Sequence, residues 1–305
     1  VIPNLLITNL EQSGYFYVAT WERLRDLLKQ VGKGDVEFIS TDLGFELCQK
    51  DDVGAVVVGS FVKLGDMFVI NTQVLDVGTK NSIGTAKSQG EGLDSIPGQI
   101  DDLSRKIAKN VGLSDRKIAA ATMRVEEATT TSTEAYSEYL RGKEEYENFY
   151  FEKSIKSLER AIELDPSFAA AYYQLFLAYG SHEDAQKSIG ALEKARSLVK
   201  RASVRDRLWI ENLYSQVISR DLEKSIITIK EIAEKFPKDK EAHSWLAGYY
   251  QGTARFTQAL EEFNKILVLD PNSGPALNGL GYTYAYMGDF EKAFDCLKKY
   301  ASAYP

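Results

Sequence analysis

The spacing of prolines in the second half of the chain constrains the fold more than any other feature. Pro237, Pro271 and Pro305 are 34 residues apart, and Pro166 precedes Pro237 by 71 residues, which is 34 plus 37. Proline lacks a backbone donor and disfavours the helical conformation of the residue before it, so a regularly spaced proline marks the end of a repeated helix. The period predicts a stack of similar units that bury their apolar faces on one another.

Small and large residues recur at fixed offsets from these prolines. Small residues let two helices approach closely, and large residues fill the space between neighbouring pairs, so each repeat is predicted to be a pair of antiparallel helices. The recurring small residues are Gly142, Ala247, Ala259, Gly281 and Ala293, and the recurring large residues are Tyr250, Phe263, Tyr284 and Leu297.

This pattern resembles the tetratricopeptide repeat (TPR) family. The resemblance covers repeats at about 135–168, 169–205, 206–239, 240–273 and 274–305, of which the second lacks the closing proline and the third is divergent. It implies an all-α superhelix of five helix pairs, with a concave groove formed by the first helix of each pair. The groove is expected to bind a peptide or a protein.

The family's ligand-facing offsets predict the groove residues. The predicted residues are Tyr136, Tyr139, Lys143, Tyr146, Tyr173, Leu177, Arg207, Ile210, Tyr214, Glu241, Ser244, Gly248, Gln251, Asn278, Tyr282 and Tyr286. Tyrosines offer apolar area and a hydroxyl at low entropic cost, so they are predicted anchors; the alternative is that several only pack between helices. Lys143 and Arg207 are expected to orient acidic groups of the ligand. The family's carboxylate-clamp offsets hold Tyr139 and Lys143, which does not favour recognition of a chaperone's acidic carboxy terminus.

Residues 1–113 show a different pattern. An aromatic and β-branched run at 15–20 is followed by helical periodicity at 21–30 and 41–50, strand-like runs at 55–62, 67–77 and 81–90, and a helix over 96–111. The predicted fold is an α/β domain with a mixed sheet. Segment 114–134 is predicted to be a linker with a connecting helix, and one residue of Thr129–Thr133 is predicted to cap the next helix.

The amino-terminal segment resembles bacterial domains of the TolB amino-terminal, FlgO-like and CsgG-like group. The similar residues are Leu5–Leu10, Val18–Leu28, Gly59–Lys63 and Leu75–Thr79. With the repeats, the chain is similar to non-catalytic regions of bacterial membrane Ser/Thr kinases and adenylate cyclases. Any catalytic domain would then lie outside this chain.

Composition and charge narrow the function classes. The net charge is -7 and the pI about 5.2, which disfavours a general nucleic-acid or anionic-membrane binder. No apolar run approaches the length of a membrane span, so direct membrane insertion is not expected. Cys48 and Cys296 fall in different predicted domains, which argues against a disulfide framework. The compartment stays open, with a periplasmic or other extracytoplasmic location favoured over the cytoplasm.

Catalytic motifs are missing from the sequence. Gly54–Ser60 has the glycine spacing of a phosphate-binding loop but lacks its lysine, and Gly32-Lys33-Gly34 lacks the third glycine of a dinucleotide loop. His182 and His243 lack metal-ligand spacing. No enzyme activity, metal or other cofactor is predicted.

The predicted function is therefore a scaffold or sensor that binds a protein or peptide in the concave groove. The alternatives are an envelope assembly factor and the regulatory region of a larger membrane Ser/Thr kinase or adenylate cyclase. Because the fifth repeat closes at Pro305, its outer apolar face, including Phe294, Leu297 and Tyr300, is expected to bind further repeats or a second copy of the chain.

Overall fold

A computed structural model of the chain describes residues 1–15, 17–36, 38–120 and 124–303. Phe16, part of the run at 15–20, and the repeat-closing Pro305 lie outside these ranges. The strands are β1 Ala55–Leu64, β2 Met67–Asp76 and β3 Ser82–Glu91. The helices are α1 Ile2–Glu11, α2 Trp21–Gln30, α3 Thr41–Lys50, α4 Ile96–Asn110, α5 Asp115–Ala120, α6 Val125–Ala128, α7 Thr133–Glu147, α8 Phe151–Leu164, α9 Ala169–Ser181, α10 Ala185–Ser197, α11 Val204–Leu213, α12 Leu222–Lys235, α13 Lys240–Gly252, α14 Phe256–Leu269, α15 Gly274–Tyr286 and α16 Phe290–Ala303.

This element order confirms the predicted fold class, a small sheet with amino-terminal helices followed by a long run of helix pairs. The sheet differs in one respect, because β1, β2 and β3 pair antiparallel in sequence order rather than as a mixed sheet. The connections explain this, since β1 and β2 are joined by a two-residue turn in which Gly65 adopts a φ of 62°. A turn this short can join only antiparallel strands.

The run at 15–20 was expected to be extended, and its described part forms no strand. Tyr17–Thr20 has no ladder partner in the described residues. Thr20 instead caps α2, its hydroxyl accepting a hydrogen bond from the Arg23 amide at 3.3 Å. The hydroxyl of Tyr17 donates to the Asp51 carboxylate at 3.2 Å. Side-chain bonds to α2 and to the end of α3 therefore replace strand pairing here.

The first compact unit is Val1–Arg207. One apolar cluster joins the amino-terminal helices and sheet to the first helix pairs, and it includes Leu5, Ile100, Leu103, Tyr136 and Phe168. The predicted linker 114–134 lies inside this unit. The predicted domain boundaries remain a prediction.

Threonines of that linker are buried rather than solvated. The Thr130 hydroxyl donates to the Asp165 carboxylate at 2.6 Å, and the Thr129 hydroxyl donates to the Val125 carbonyl at 2.6 Å. Ser132 begins α7 by accepting from the Ala135 amide at 3.1 Å, so the predicted cap within 129–133 is confirmed.

Four pairs of the remaining helices pack as the repeat period predicts. In the first unit α7 packs on α8 and α9 on α10; a Cβ on Gly142 would lie 2.6 Å from Leu158 Cγ. The second compact unit is Leu208–Pro305, in which α13 packs on α14 and α15 on α16. Helices α8, α12 and α14 end two residues before Pro166, Pro237 and Pro271, respectively. Proline therefore follows the second helix of a pair, as predicted.

Candidate functional site

The structure divides the predicted groove residues by exposure. Tyr136, Tyr173 and Ile210 are buried; Arg207, Tyr282 and Tyr286 are exposed; and the partly exposed ones are Tyr139, Lys143, Tyr146, Leu177, Tyr214, Ser244, Gln251 and Asn278. Glu241 and Gly248 are also exposed. Only an exposed or partly exposed side chain can contact a ligand without rearrangement. The two units therefore differ in which predicted groove residues a ligand can reach. The groove assignment as a whole stays a prediction.

In the first unit two predicted groove tyrosines of α7 pack in or against the core: Tyr136 is buried in it and Tyr139 packs against it. The ring of Tyr136 lies 5.8 Å from that of Tyr139, and the Tyr139 ring lies 5.0 Å from Phe168, measured between centroids. Leu5 of α1 belongs to the same apolar cluster. The amino-terminal helix thus contributes to the packing around the face of α7 that was predicted to hold a ligand.

Lys143, one turn after Tyr139, is ion-paired to the amino-terminal segment. Its ammonium contacts the Glu22 carboxylate of α2, and Arg25 of α2 contacts Glu147 of α7 at 2.5 Å. Burial favours neutral forms, but attraction overrides it: Glu22 raises the pKa of Lys143, and Lys143 with Arg205 lowers the pKa of Glu22. Both groups are therefore charged at neutral pH.

In the second unit an aromatic stripe runs along α15. Asn278, Tyr282 and Tyr286 are four residues apart, which places them on one side of the helix. Tyr282 is 51% exposed and Tyr286 is 64% exposed, and the Tyr286 ring stacks on Phe256 with centroids 6.0 Å apart. Exposed aromatic side chains held in place by a neighbour are typical anchors of protein interfaces.

Helix α13 lies beside α15. The Gln251 side-chain amide donates to the Thr283 hydroxyl at 2.9 Å and to the Gly279 carbonyl at 3.3 Å. Gly248, one turn before Gln251, has nothing within 4 Å of where its Cβ would be. This glycine is not needed for helix packing, and it leaves open space on the surface of α13.

A cleft of about 380 Å³ opens between α12 and α13. Its lining is mainly apolar, with two aromatic residues and two predicted groove residues. The lining residues are Gln216, Leu222, Ser225, Ile226, Ile229, Ser244, Trp245, Gly248 and Tyr249. Clefts of this size with a few polar groups suit one or two anchoring side chains of a ligand.

The cleft contains residues that the repeat offsets did not identify. Trp245 and Tyr249 each follow a predicted groove residue by one position, and Leu222 and Ile226 come from the preceding second helix. The sequence offered one signal for these two residues: each is an aromatic residue directly after a small groove residue, Trp245 after Ser244 and Tyr249 after Gly248. The contribution of α12 depends on how the pairs pack.

The surface around the stripe on α15 has little charge. Helix α15 carries no ionisable group except its tyrosines, and Lys240 of α13 pairs with Asp270 at 3.3 Å.

His243 of α13 is buried, with Nδ1 2.6 Å from Glu262 and Nε2 2.9 Å from the Pro237 carbonyl. Burial lowers the pKa of His243, but its bonds to Glu262 and Pro237 outweigh this and raise it. His243 therefore holds the end of one repeat to the next.

Within the described ranges, no group of three His, Cys, Asp or Glu side chains is arranged to hold a metal ion. Likewise, none of the helices in the described part of the chain combines the length and the apolar character needed to cross a membrane.

The chain is similar to a known repeat family and to several solved structures. A family model described as Tetratricopeptide repeat matches residues 139–168 and 274–305. No curated protein matches the chain. The similar solved structures include PilW, a widely conserved type IV pilus biogenesis factor, at 19% identity and a TM-score of 0.45 over 56% of this chain and 78% of that chain. They also include YrrB, a TPR protein with an unusual peptide-binding site, at 22% identity and a TM-score of 0.38 over 59% of this chain and 88% of that chain. MamA from Desulfovibrio magneticus RS-1 is 16% identical, with a TM-score of 0.41 over 56% of this chain and 96% of that chain. The chain therefore carries tetratricopeptide repeats, at residues 139–168 in α7–α8 and 274–305 in α15–α16.

Proposed function

We propose that this chain is a non-catalytic module that binds a peptide or protein segment on the second unit. The observation that carries the proposal is the cleft beside α13, where Trp245 and Tyr249 line an opening next to the unoccupied space over Gly248. Exposed Tyr282 and Tyr286 on the neighbouring helix α15 offer further aromatic side chains. Together they offer anchors of the kind that concentrate interface energy.

The ligand that suits this surface has apolar side chains and little charge. The cleft is lined by apolar and aromatic groups, and α15 adds tyrosine hydroxyls and the Asn278 amide as hydrogen-bonding groups. The predicted cationic residues Lys143 and Arg207 belong to the first unit. An extended or helical segment with one aliphatic or aromatic anchor is therefore the proposed ligand of the second unit.

A scaffold, a sensor, an envelope assembly factor and a regulatory region of a kinase or cyclase would all use this binding step. The binding step is what is proposed here, and it is common to all four functions. The resemblance of residues 1–113 to TolB-like domains remains a prediction that such a module belongs to a bacterial envelope or signalling protein.

The test fills the cleft without disturbing the helix packing. Peptides that bind the parent chain are selected from a random 12-residue library and titrated against Gly248→Phe. Losing an anchor pocket should weaken binding by about thirtyfold, since one anchor contributes about 2 kcal/mol.

The matched control is Gly190→Phe, because Gly190 also lies within a helix with nothing within 4 Å of its Cβ position, but on α10. It should bind the selected peptides as the parent does. Peptides that bind parent and Gly248→Phe equally well would remove the cleft from the proposal.

A further inference from the structure

The first repeat has a second candidate binding surface, where a carboxylate from the amino-terminal part of the same chain is bound. Lys143 of α7 contacts the carboxylate of Glu22, which lies 121 residues before Lys143. The positive charge of Arg205, at the start of α11, also helps to lower the pKa of Glu22. The Glu22 and Lys143 side chains are 37% and 31% exposed. A half-exposed carboxylate paired with the Lys143 ammonium marks a surface suited to an acidic group.

The charges of α2 and α7 match over one helical turn. Glu22 and Arg25 are three residues apart on α2, and Lys143 and Glu147 are four residues apart on α7. Glu22 pairs with Lys143, and Arg25 pairs with Glu147. The charges on this face of α7 therefore complement a helix that carries an acidic residue and, one turn later, a basic residue.

The α2–α3 segment is held together by its own contacts. Leu27 and Leu28 of α2 form a separate apolar cluster with Leu43 and Leu47 of α3. Its internal bond between Arg23 and Asp51 is nearly buried, with nitrogen and oxygen 2.6 Å apart. The segment does not depend on the pairs to α7 for its core, so those pairs can exchange for pairs to another molecule.

We propose that the first repeat carries a docking site for a partner helix with an acid-then-base pattern, and that α2 occupies this site within the chain as a competitor. The partner's acidic side chain replaces Glu22 on Lys143. The partner's basic side chain replaces Arg25 on Glu147. Because α2 competes for the site, the apparent affinity for the partner helix equals the intrinsic affinity multiplied by the fraction of molecules in which the site is free.

The first measurement uses the chain's own segment as the probe. A fluorescein-labelled peptide with the sequence of residues 19–33 is titrated against the parent and Glu22→Gln. The isosteric amide keeps the shape of the side chain and removes its charge. Because one half-exposed ion pair changes an equilibrium by about fivefold, Glu22→Gln should bind the peptide about fivefold more tightly than the parent.

Two controls isolate the site. Glu46→Gln removes an exposed ion pair within the segment, Lys33–Glu46 at 2.9 Å, and should bind the peptide as the parent does. Adding Lys143→Gln to Glu22→Gln should return the affinity to the parent level or below. Equal binding by parent and Glu22→Gln, or no loss on adding Lys143→Gln, would overturn the proposal.

Hydrogen exchange supplies a readout that does not require the peptide. Glu22→Gln should speed amide exchange in residues 21–30 while leaving α8 unchanged, and Glu46→Gln should not speed exchange at the first turn of α2. Unchanged exchange in Glu22→Gln would show that the ion pair does not hold α2 in place, which also contradicts the proposal. Gly248→Phe should leave peptide binding unaltered, so this site and the cleft of the second unit fail or succeed separately.

Discussion

Two glycines of the second unit should respond in opposite directions to the same substitution. Gly281 of α15 and Gly248 of α13 both lie within helices, so alanine stabilises each helix by about 1 kcal/mol. A Cβ on Gly281 would lie 2.6 Å from Leu297 Cγ and 2.7 Å from its Cδ2, whereas a Cβ on Gly248 meets nothing within 4 Å. The helix term is common to both variants, and only Gly281→Ala overpacks a helix contact.

The difference between the two variants therefore measures the packing term alone. Overpacking a well-filled contact costs about 1–3 kcal/mol, because Leu297 must leave its rotamer or α16 must shift. Gly248→Ala should raise the free energy of unfolding by about 1 kcal/mol. Gly281→Ala should lower it by about 1 kcal/mol, for a separation of about 2 kcal/mol between the variants.

The assay is urea unfolding followed by tryptophan fluorescence. Trp209 and Trp245 both lie in the second unit, so a Trp21→Phe background confines the signal to that unit. Chains with two units need not unfold in one step, so the slopes must agree between variants before midpoints are compared. A Gly281→Ala midpoint as high as that of Gly248→Ala would refute the close-contact reasoning.

Three further outcomes are expected. The raised pKa of His243 means that its pair with Glu262 stabilises fully below about pH 6.5 and is lost as the pH rises through the higher folded value. The lowered pKa of Glu262 means that the same pair is lost as the pH falls through a value below its usual range. Relative to His243→Gln, the parent's free energy of unfolding should therefore fall between pH 6 and pH 9, and parallel curves would contradict the assignment. Tyr136→Ala should lower stability by about 3 kcal/mol in thermal unfolding, because Tyr136 is 4% exposed in the core of the first unit; an unchanged midpoint would make it a surface residue. Self-association through the last repeat remains a prediction; of its exposed apolar side chains on α16, Phe294 is 65% exposed and Phe290 is 72% exposed. Replacing both with Ser should lower any concentration-dependent increase in sedimentation coefficient, and an equal increase in parent and variant would place self-association elsewhere.

The helix pairs could be predicted because their signals are local. Proline sterics act on the preceding residue, which is why the ends of α8, α12 and α14 follow from the positions of three prolines. The strands at 55–64 and 67–76 follow from β-branched runs around a glycine turn. Each of these inferences depends on residues only a few positions apart.

The state of the binding surfaces depended on contacts between distant residues. The offsets place Lys143 and Tyr282 at equivalent positions, yet Lys143 is ion-paired to Glu22 of α2 and Tyr282 is exposed. The 34-residue period says how each repeat meets the next, but it contains no information about a domain that folds back on the first repeat. Burial and charge neutralisation act through space, so the pairing of Glu22 with Lys143, 121 positions apart, was decided only by the tertiary structure.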